Sequence, residues 1–229
     1  MKPPVVDYKE FRLSKINEPQ FSHLKYLLGW IGYFILFFLT ERFIPAEKCY
    51  PVHCALDDTI PFCEYFVIAY VFWYVLIVVS LLYFALYDTG KFKQLMTYII
   101  VTQVVAVTIY IIFPNRQDLR PEVFARDNFF TRLMGLIYSV DTNTGVCPSL
   151  HVAYSLGIAS TWLKCKDASW LWKGFVVVAV VLICMSVVFV KQHSVLDIAA
   201  AIPVCLLAEV IAFGNRKTEK NGLKRSENN

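Results

Sequence analysis

From Tyr65 to Tyr87 the chain carries no charged side chain, and from Gln94 to Phe113 it again carries none. Each stretch matches the roughly 20 apolar residues that a helix needs to cross a hydrocarbon core about 30 Å thick. Four weaker stretches extend the pattern: Tyr26 to Ile44, Ser149 to Leu163, Gly174 to Val190 and His193 to Phe213. The expected fold is an all-α polytopic membrane protein, a bundle of six transmembrane helices. Composition agrees, since 57% of the 229 residues are hydrophobic and only 17% charged, where a soluble chain would carry roughly a quarter.

The spans divide the chain into a cytoplasmic N-terminal segment (1–23), one membrane domain (24–213) and a basic, solvated tail (214–229). The first 23 residues are polar, carry Lys2, Lys9, Arg12 and Lys15, and lack a small-residue cleavage pattern. The first span is therefore expected to act as its own insertion signal. With six spans, one face collects the N-terminus, the Lys91 and Lys93 loop, the Lys164, Lys166 and Lys173 loop, and the tail. That face holds 15 of the 22 basic residues. The excess of Lys and Arg assigns it to the cytoplasm, both termini included, and makes the opposite face extracytoplasmic. Basic residues placed where insertion requires them leave no call on a nucleic-acid partner.

Cys49, Cys54, Cys63 and Cys147 fall on the outer side, which leaves an external disulfide open. Cys165, Cys184 and Cys205 read as small apolar packing residues. The spacing of Cys49, His53, Cys54 and Cys63 is a poor match to a zinc ligand set, so neither metal nor cofactor is expected.

Three polar islands interrupt the apolar chain on the outer face. The first runs from Phe113 to Pro121 and holds Arg116 and Arg120, leading into a polar stretch with Arg126, Asp127 and Arg132. Guanidinium groups offer a planar fork of donors to phosphate oxygens. Alone, these arginines read more simply as partners of lipid headgroups, Asp118 or Glu122. The second island, Cys147-Pro-Ser-Leu-His151, follows the turn-rich Asp141-Thr-Asn-Thr-Gly145. Pro148 and Ser149 fit a helix start, whose free N–H groups and positive dipole end favour an anion. His151 lies in that first turn, able to move a proton near neutral pH, or else simply hydrogen-bonded at the headgroup boundary. The third island runs from Ser186 through Lys191 to His193 and Asp197. Four residues apart on a helix, His193 and Asp197 share a face, so the carboxylate can fix the imidazole tautomer. Alternatively, Asp197 favours a helix start and His193 is a neighbour of the cap. The Pro-Ser-x-His string and the Ser-x6-His-x3-Asp string would each arise by chance in roughly one or two per cent of such chains. Their conjunction on one face is far rarer.

With these islands the chain resembles the type 2 phosphatidic acid phosphatase superfamily, whose relatives include the inositolphosphorylceramide synthases. The likeness covers the layout from about Tyr26 to Phe213. Arg120-Pro121 matches the end of the family's Lys-x6-Arg-Pro, Pro148-Ser149-Leu150-His151 its Pro-Ser-Gly-His, and Ser186, His193 and Asp197 its Ser-Arg-x5-His-x3-Asp. Phe113 stands at the lysine position, Leu150 at the glycine and Val187 at the arginine. Arg116 and Lys191 are nearby cations that could replace the missing charge. The resemblance implies His193 as a nucleophile forming a phosphohistidine, Asp197 as its orienting group, and His151 as acid and base. Arg120 and Ser149, with Ser186, Arg116 and Lys191, are the expected phosphate-binding set, and no metal is required.

The expected function is a lipid phosphatase acting on a phosphate monoester or diphosphate, with phosphatidate, phosphatidylglycerophosphate and polyprenyl diphosphate as candidate substrates. A lipid phosphotransferase of the sphingolipid-synthase kind differs only in its acceptor. A non-enzymatic scaffold or transporter is the reading from another class. Short loops and the lack of organelle retention signals point to a bacterial cytoplasmic membrane.

Overall fold

The computed structural model describes residues 3–214. Lys2 and the basic tail from Arg216 onward lie outside the described residues. The helices are α1 (Leu28–Phe43), α2 (Ala55–Thr59), α3 (Val67–Tyr87), α4 (Thr89–Ile112), α5 (Phe129–Val140), α6 (Leu150–Leu163), α7 (Trp170–Phe189) and α8 (Val195–Phe213). Two short strands, β1 (Tyr50–Pro51) and β2 (Asn115–Arg116), pair in parallel with Tyr50 opposite Asn115 and Pro51 opposite Arg116. Among the described residues, five helical stretches are long and apolar enough to cross a membrane: Ser22–Phe43, Glu64–Tyr87, Thr89–Ile112, Trp170–Phe189 and Val195–Phe213. The chain is an all-α membrane protein.

The sixth expected span, α6, has 14 residues, which at 1.5 Å each rise only about 21 Å. Ten of the 14 are buried, because α6 runs through the middle of the bundle against α3, α4, α7 and α8. A helix walled by protein need not match the bilayer in length or in apolarity, and α6 carries His151, Ser155, Ser160 and Thr161. The outer helices show the opposite pattern. α1 buries no residue and is entered through the 3-10 segment Ser22–Leu27. Ile68, Val75, Val78 and Leu82 of α3 and Leu171, Val178 and Val181 of α7 are exposed, a surface suited only to lipid.

Helix ends differ from the sequence expectation where a cap intervenes. Asp88 alone separates α3 from α4, and its carboxylate accepts from the Lys91 main-chain N–H at 2.9 Å, so α4 starts at Thr89 rather than Gln94. Ser169 caps α7, which starts at Trp170 rather than Gly174. Ser194 caps α8, which leaves His193 in the preceding turn instead of inside the helix. The stretch after Arg126, read from sequence as polar, becomes α5 from Phe129 onward. Asn128 caps it by accepting from the Phe130 and Thr131 N–H groups. All seven cysteines are free thiols in this structure.

The two ends of the bundle are chemically distinct. At one, the Val5 N–H bonds the Leu86 oxygen at 2.8 Å and Tyr8 Oη bonds the Ala85 oxygen at 2.9 Å. There too the Glu209 carboxylate takes Ser160 Oγ at 2.7 Å and Lys164 Nζ, which accounts for an ionisable group late in α8. The other end gathers β1, β2, α2, α5 and the turns that precede α6 and α8, and so all three polar islands.

α6 approaches α4 closely enough that a Cβ on Gly157 would stand 2.5 Å from the Tyr98 ring, which is itself buried. Gly157→Ala is expected to destabilise the bundle by about 1–3 kcal/mol through overpacking. Gly174→Ala, where a Cβ meets nothing within 4 Å, serves as the control. Thermal unfolding of both variants in detergent measures the difference, and equal midpoints would exclude the close α4–α6 approach.

Candidate active site

The turn between α7 and α8 sets the site. Lys191 adopts φ 54°, the left-handed region, which turns the chain sharply after Val190. The N–H groups of Gln192 and His193 both donate to the Val187 oxygen at 3.0 Å, which fastens the turn to the last coil of α7. Ser194 then caps α8, and Asp197, three residues on, reaches back with Oδ2 to the Ser194 N–H at 3.0 Å. The same oxygen accepts from His193 Nδ1 at 2.9 Å. A carboxylate oxygen can only accept here, so Nδ1 carries the proton and Nε2 keeps its lone pair. Asp197 has no exposed surface and His193 little, so the pair sits in a low-dielectric setting.

A second turn presents His151. Asn115 Oδ1 accepts from the N–H groups of Val146 and Cys147 at 2.9 and 2.8 Å, and its Nδ2 donates to the Cys147 oxygen at 2.9 Å. Tyr110 Oη donates to the Pro148 oxygen at 2.7 Å. Gly145 makes the bend at φ 60°, with Tyr110 ring atoms 3.2 Å from where a Cβ would sit, so both conformation and space require glycine. Ser149 starts α6. Its N–H donates to the Asp197 main-chain oxygen at 3.1 Å, tying the two turns together, and its Oγ receives the Val152 N–H. The His151 ring lies between Trp73 and Tyr70, with centroids 4.1 and 4.8 Å away, and 5.6 Å from the His193 ring. Its main-chain oxygen takes Trp73 Nε1 at 3.1 Å and Ser155 Oγ at 2.7 Å, whereas its Nε2 is buried without a partner.

Both histidines line a cavity of about 450 Å³. Gln192, Asp141 and the first turn of α6 close its outer end, and aromatic residues of α1 and α3, including Tyr33, Phe37, Trp73 and Tyr74, form its walls. The structure thus brings His151, His193 and Asp197 together, with Ser149 beside them. It does not bring the expected cations to the same place. Arg120 spends its guanidinium on the main-chain oxygens of Tyr138, Asp141 and Thr142 and, at 2.6 Å, on Gln192 Oε1. It stands behind the turn and braces it. Arg116 bonds Asp118 and the Ala46 and Cys49 oxygens. Lys191 Nζ donates to the Asp57 oxygen at 2.7 Å, and Ser186 Oγ to the Ile183 oxygen at 2.7 Å. Among the described residues no Lys or Arg lines the cavity.

Two carboxylates that the sequence does not single out complete the outer end. Asp141 Oδ2 accepts from Gln192 Nε2 at 3.0 Å and Tyr70 Oη at 3.2 Å. Burial pushes the Asp141 carboxyl up, while the nearby Arg120 guanidinium pulls it back in part. Asp57, in α2, is buried against the turn that holds His193. It accepts from Ser194 Oγ at 2.6 Å, the Val195 N–H at 2.8 Å and the Cys54 N–H at 2.8 Å. Burial raises its carboxyl, but these donors together outweigh burial and leave it below the ordinary aspartate value. The loop between α1 and α3 is thereby a clamp on the α7–α8 turn, reinforced by the Cys63 N–H to Phe189 oxygen bond and by Phe66 stacked on Phe189.

Because Asp57 binds protons less readily folded than unfolded, it contributes stability above the ordinary aspartate range, near pH 4. That contribution is lost as pH falls through its lower folded value. Asp57→Ala is expected to destabilise by about 1–3 kcal/mol at pH 7, since it strands the Ser194 and Val195 donors. Asp57→Asn should flatten the loss of stability between pH 5 and pH 3 relative to the parent. Unfolding midpoints across that range check both, and an unchanged acid slope in Asp57→Asn would remove the clamp from the account.

The chain matches no protein-family model, no curated protein and no solved structure.

Proposed function

We propose that the chain is an integral membrane lipid phosphatase of the type 2 phosphatidic acid phosphatase kind, working through a phosphohistidine on His193. The observation that carries this reading is the pairing of two imidazoles. Asp197 holds His193 by Nδ1 and leaves Nε2 as its free ring nitrogen, and His151, with its ring centroid 5.6 Å away and a buried Nε2 without a partner, lines the same cavity. An imidazole oriented by a buried carboxylate beside a second imidazole is the arrangement that nucleophilic displacement with acid–base assistance needs. His193 Nε2 bonds to phosphorus as the bond to the lipid oxygen breaks, and His151 protonates that oxygen. Water then attacks phosphorus, His151 takes its proton back, the N–P bond breaks and phosphate leaves. The first turn of α6 offers N–H groups at Leu150 and His151 to the phosphoryl oxygens. Arg120 acts on the turn through Gln192 rather than on the phosphate.

In this reading α1, α3, α4, α6, α7 and α8 are the six spans, and the excess of Lys and Arg at the opposite end makes the site extracytoplasmic. The aromatic walls of α1 and α3 accept the upper part of the lipid tail. A second reading, transfer of the phosphoryl group to a lipid hydroxyl, is favoured by one observation. Among the described residues no Lys or Arg lies at the cavity surface, so a dianionic ester is weakly neutralised and a singly charged diester competes better.

His193→Ala is expected to abolish phosphate release from lipid substrates in detergent and to remove an acid-labile phosphoenzyme trapped in the parent. Asp197→Asn should lower the rate by about 10²–10⁴ by freeing the wrong tautomer. Activity in His193→Ala equal to the parent would eliminate this mechanism. Little phosphate release, with phosphorylated acceptor formed when an acceptor alcohol is added, would select the transferase.

A further inference from the structure

α5 has 12 residues and rises only about 18 Å, too little to cross a hydrocarbon core. It packs on the start of α3 and on the 3-10 turn Glu64–Phe66 that leads into it. Thr131 and Met134 are buried on that side, where Phe130 meets the Tyr65 ring with centroids 5.3 Å apart. The opposite side is also apolar. Phe129, Leu136 and Val140, spaced seven and four residues apart, form one helical stripe and are 71%, 61% and 79% exposed. Arg132 and Ser139 lie together along one flank of the stripe and are exposed as well. An uncovered apolar stripe of this size beside a polar flank does not suit water on every side.

Hydrogen bonds at its two ends fix where α5 sits. Before its first turn, Asn128 Nδ2 donates to Glu64 Oε1 at 3.2 Å, and Glu64 is the first residue of the span Glu64–Tyr87. Past its last turn, Asp141 Oδ2 accepts from Tyr70 Oη at 3.2 Å, about 9 Å further along the same span. Tyr138 Oη donates to the Val190 oxygen at 2.5 Å, just beyond α7. Both ends are therefore held at one end of the bundle, with the C-terminal end dipping toward its middle. The stripe continues the apolar surface that Tyr65 and Ile68 of the same span expose. We infer that α5 is a membrane-surface helix, with Phe129, Leu136 and Val140 inserted among the upper chain segments of a phospholipid leaflet and its polar flank among the headgroups. Helices of this kind sink roughly 5–10 Å into the boundary, in keeping with the dip along α3. Attachment is apolar, because Arg126 is paired with Glu64 at 3.4 Å and Arg132 with Asp127 at 2.8 Å. Since the Tyr138 and Asp141 main-chain oxygens hold Arg120, the leaflet also seats the frame behind the α7–α8 turn. The inference rests on the membrane fold and not on the phosphohistidine reading.

Depth-resolved photolabelling of the full chain in phosphatidylcholine nanodiscs tests this. Trace phosphatidylcholine carries a diazirine either high on one acyl chain or near its terminal methyl, and adducts are mapped by mass spectrometry. The shallow probe is expected to label Leu136 and Val140 several-fold more than the deep probe does, whereas Val178 and Leu182 in the middle of α7 take the deep probe. Leu136→Asp combined with Val140→Asp should remove the α5 adducts and leave those on α7, which also shows that the variant keeps its fold. The parent measurement stands without the variant. An α5 that neither probe labels would place the stripe in water and overturn the inference. Deep labelling of α5 equal to that of α7, or labelling that appears only when anionic phosphatidylglycerol is added, would overturn it too. An unlabelled α5 in dimeric particles would assign the stripe to a second copy of the chain, again against it.

Discussion

A carboxylate with no exposed surface in the first turn of a membrane helix is tolerable only when donors meet it, and Asp197 draws two of them from its own turn. One is the Ser194 N–H, which completes the helix cap. The other is His193 Nδ1. The bond that starts α8 is therefore also the bond that fixes the tautomer of the nearby imidazole, so folding and site geometry share one interaction. The Ser149 N–H on the Asp197 main-chain oxygen extends that dependence to α6 and hence to His151. From these contacts follow the left-handed Lys191, the double use of the Val187 oxygen and the capping role of Asp57. Each holds the turn in the one shape that lets Asp197 reach back.

The bundle around this end is organised to keep the polar machinery away from lipid. α6 carries His151 and is shielded on several sides, while α1, α3 and α7 show their apolar faces outward. That arrangement permits a short, partly polar helix at the centre. Its length is set by the two turns it connects rather than by the thickness of the bilayer.

The long uncharged runs made α3 and α4 legible, because apolarity over 20 residues has few other uses in a chain of this size. His193 and Asp197 were legible because their contact is local, although Asp197 reaches back over the Ser194 cap to a histidine in the preceding turn rather than along a shared helical face. The cations were not. Arg116 and Arg120 are four apart, but Arg116 sits in the extended β2 and Arg120 beyond it, so no common helical face joins them. Lys191 is two residues from His193, yet its positive φ sends the ammonium to the Asp57 oxygen. Asp57 itself contacts Ser194 across 137 positions, a distance at which no pattern in one sequence speaks. α5 was hidden by Arg126, Asp127 and Asn128 at its approach. Those residues obscure an apolar stripe, Phe129, Leu136 and Val140, that lies on one side of the helix and faces outward.

His151, His193 and Asp197 all belong to the C-terminal part of the chain, whereas the cavity walls come largely from α1 and α3. α1 is the least committed of these, burying no residue of its own and packing mainly on α4. On the proposed function, chemistry and selectivity are encoded in separate stretches of the chain. Drift in Tyr33, Phe34 or Phe37 can reshape what the cavity admits without disturbing the turn that carries His193. On that proposal a chain of this kind can acquire a new lipid by changing its wall, and related chains with identical turns need not share a diet.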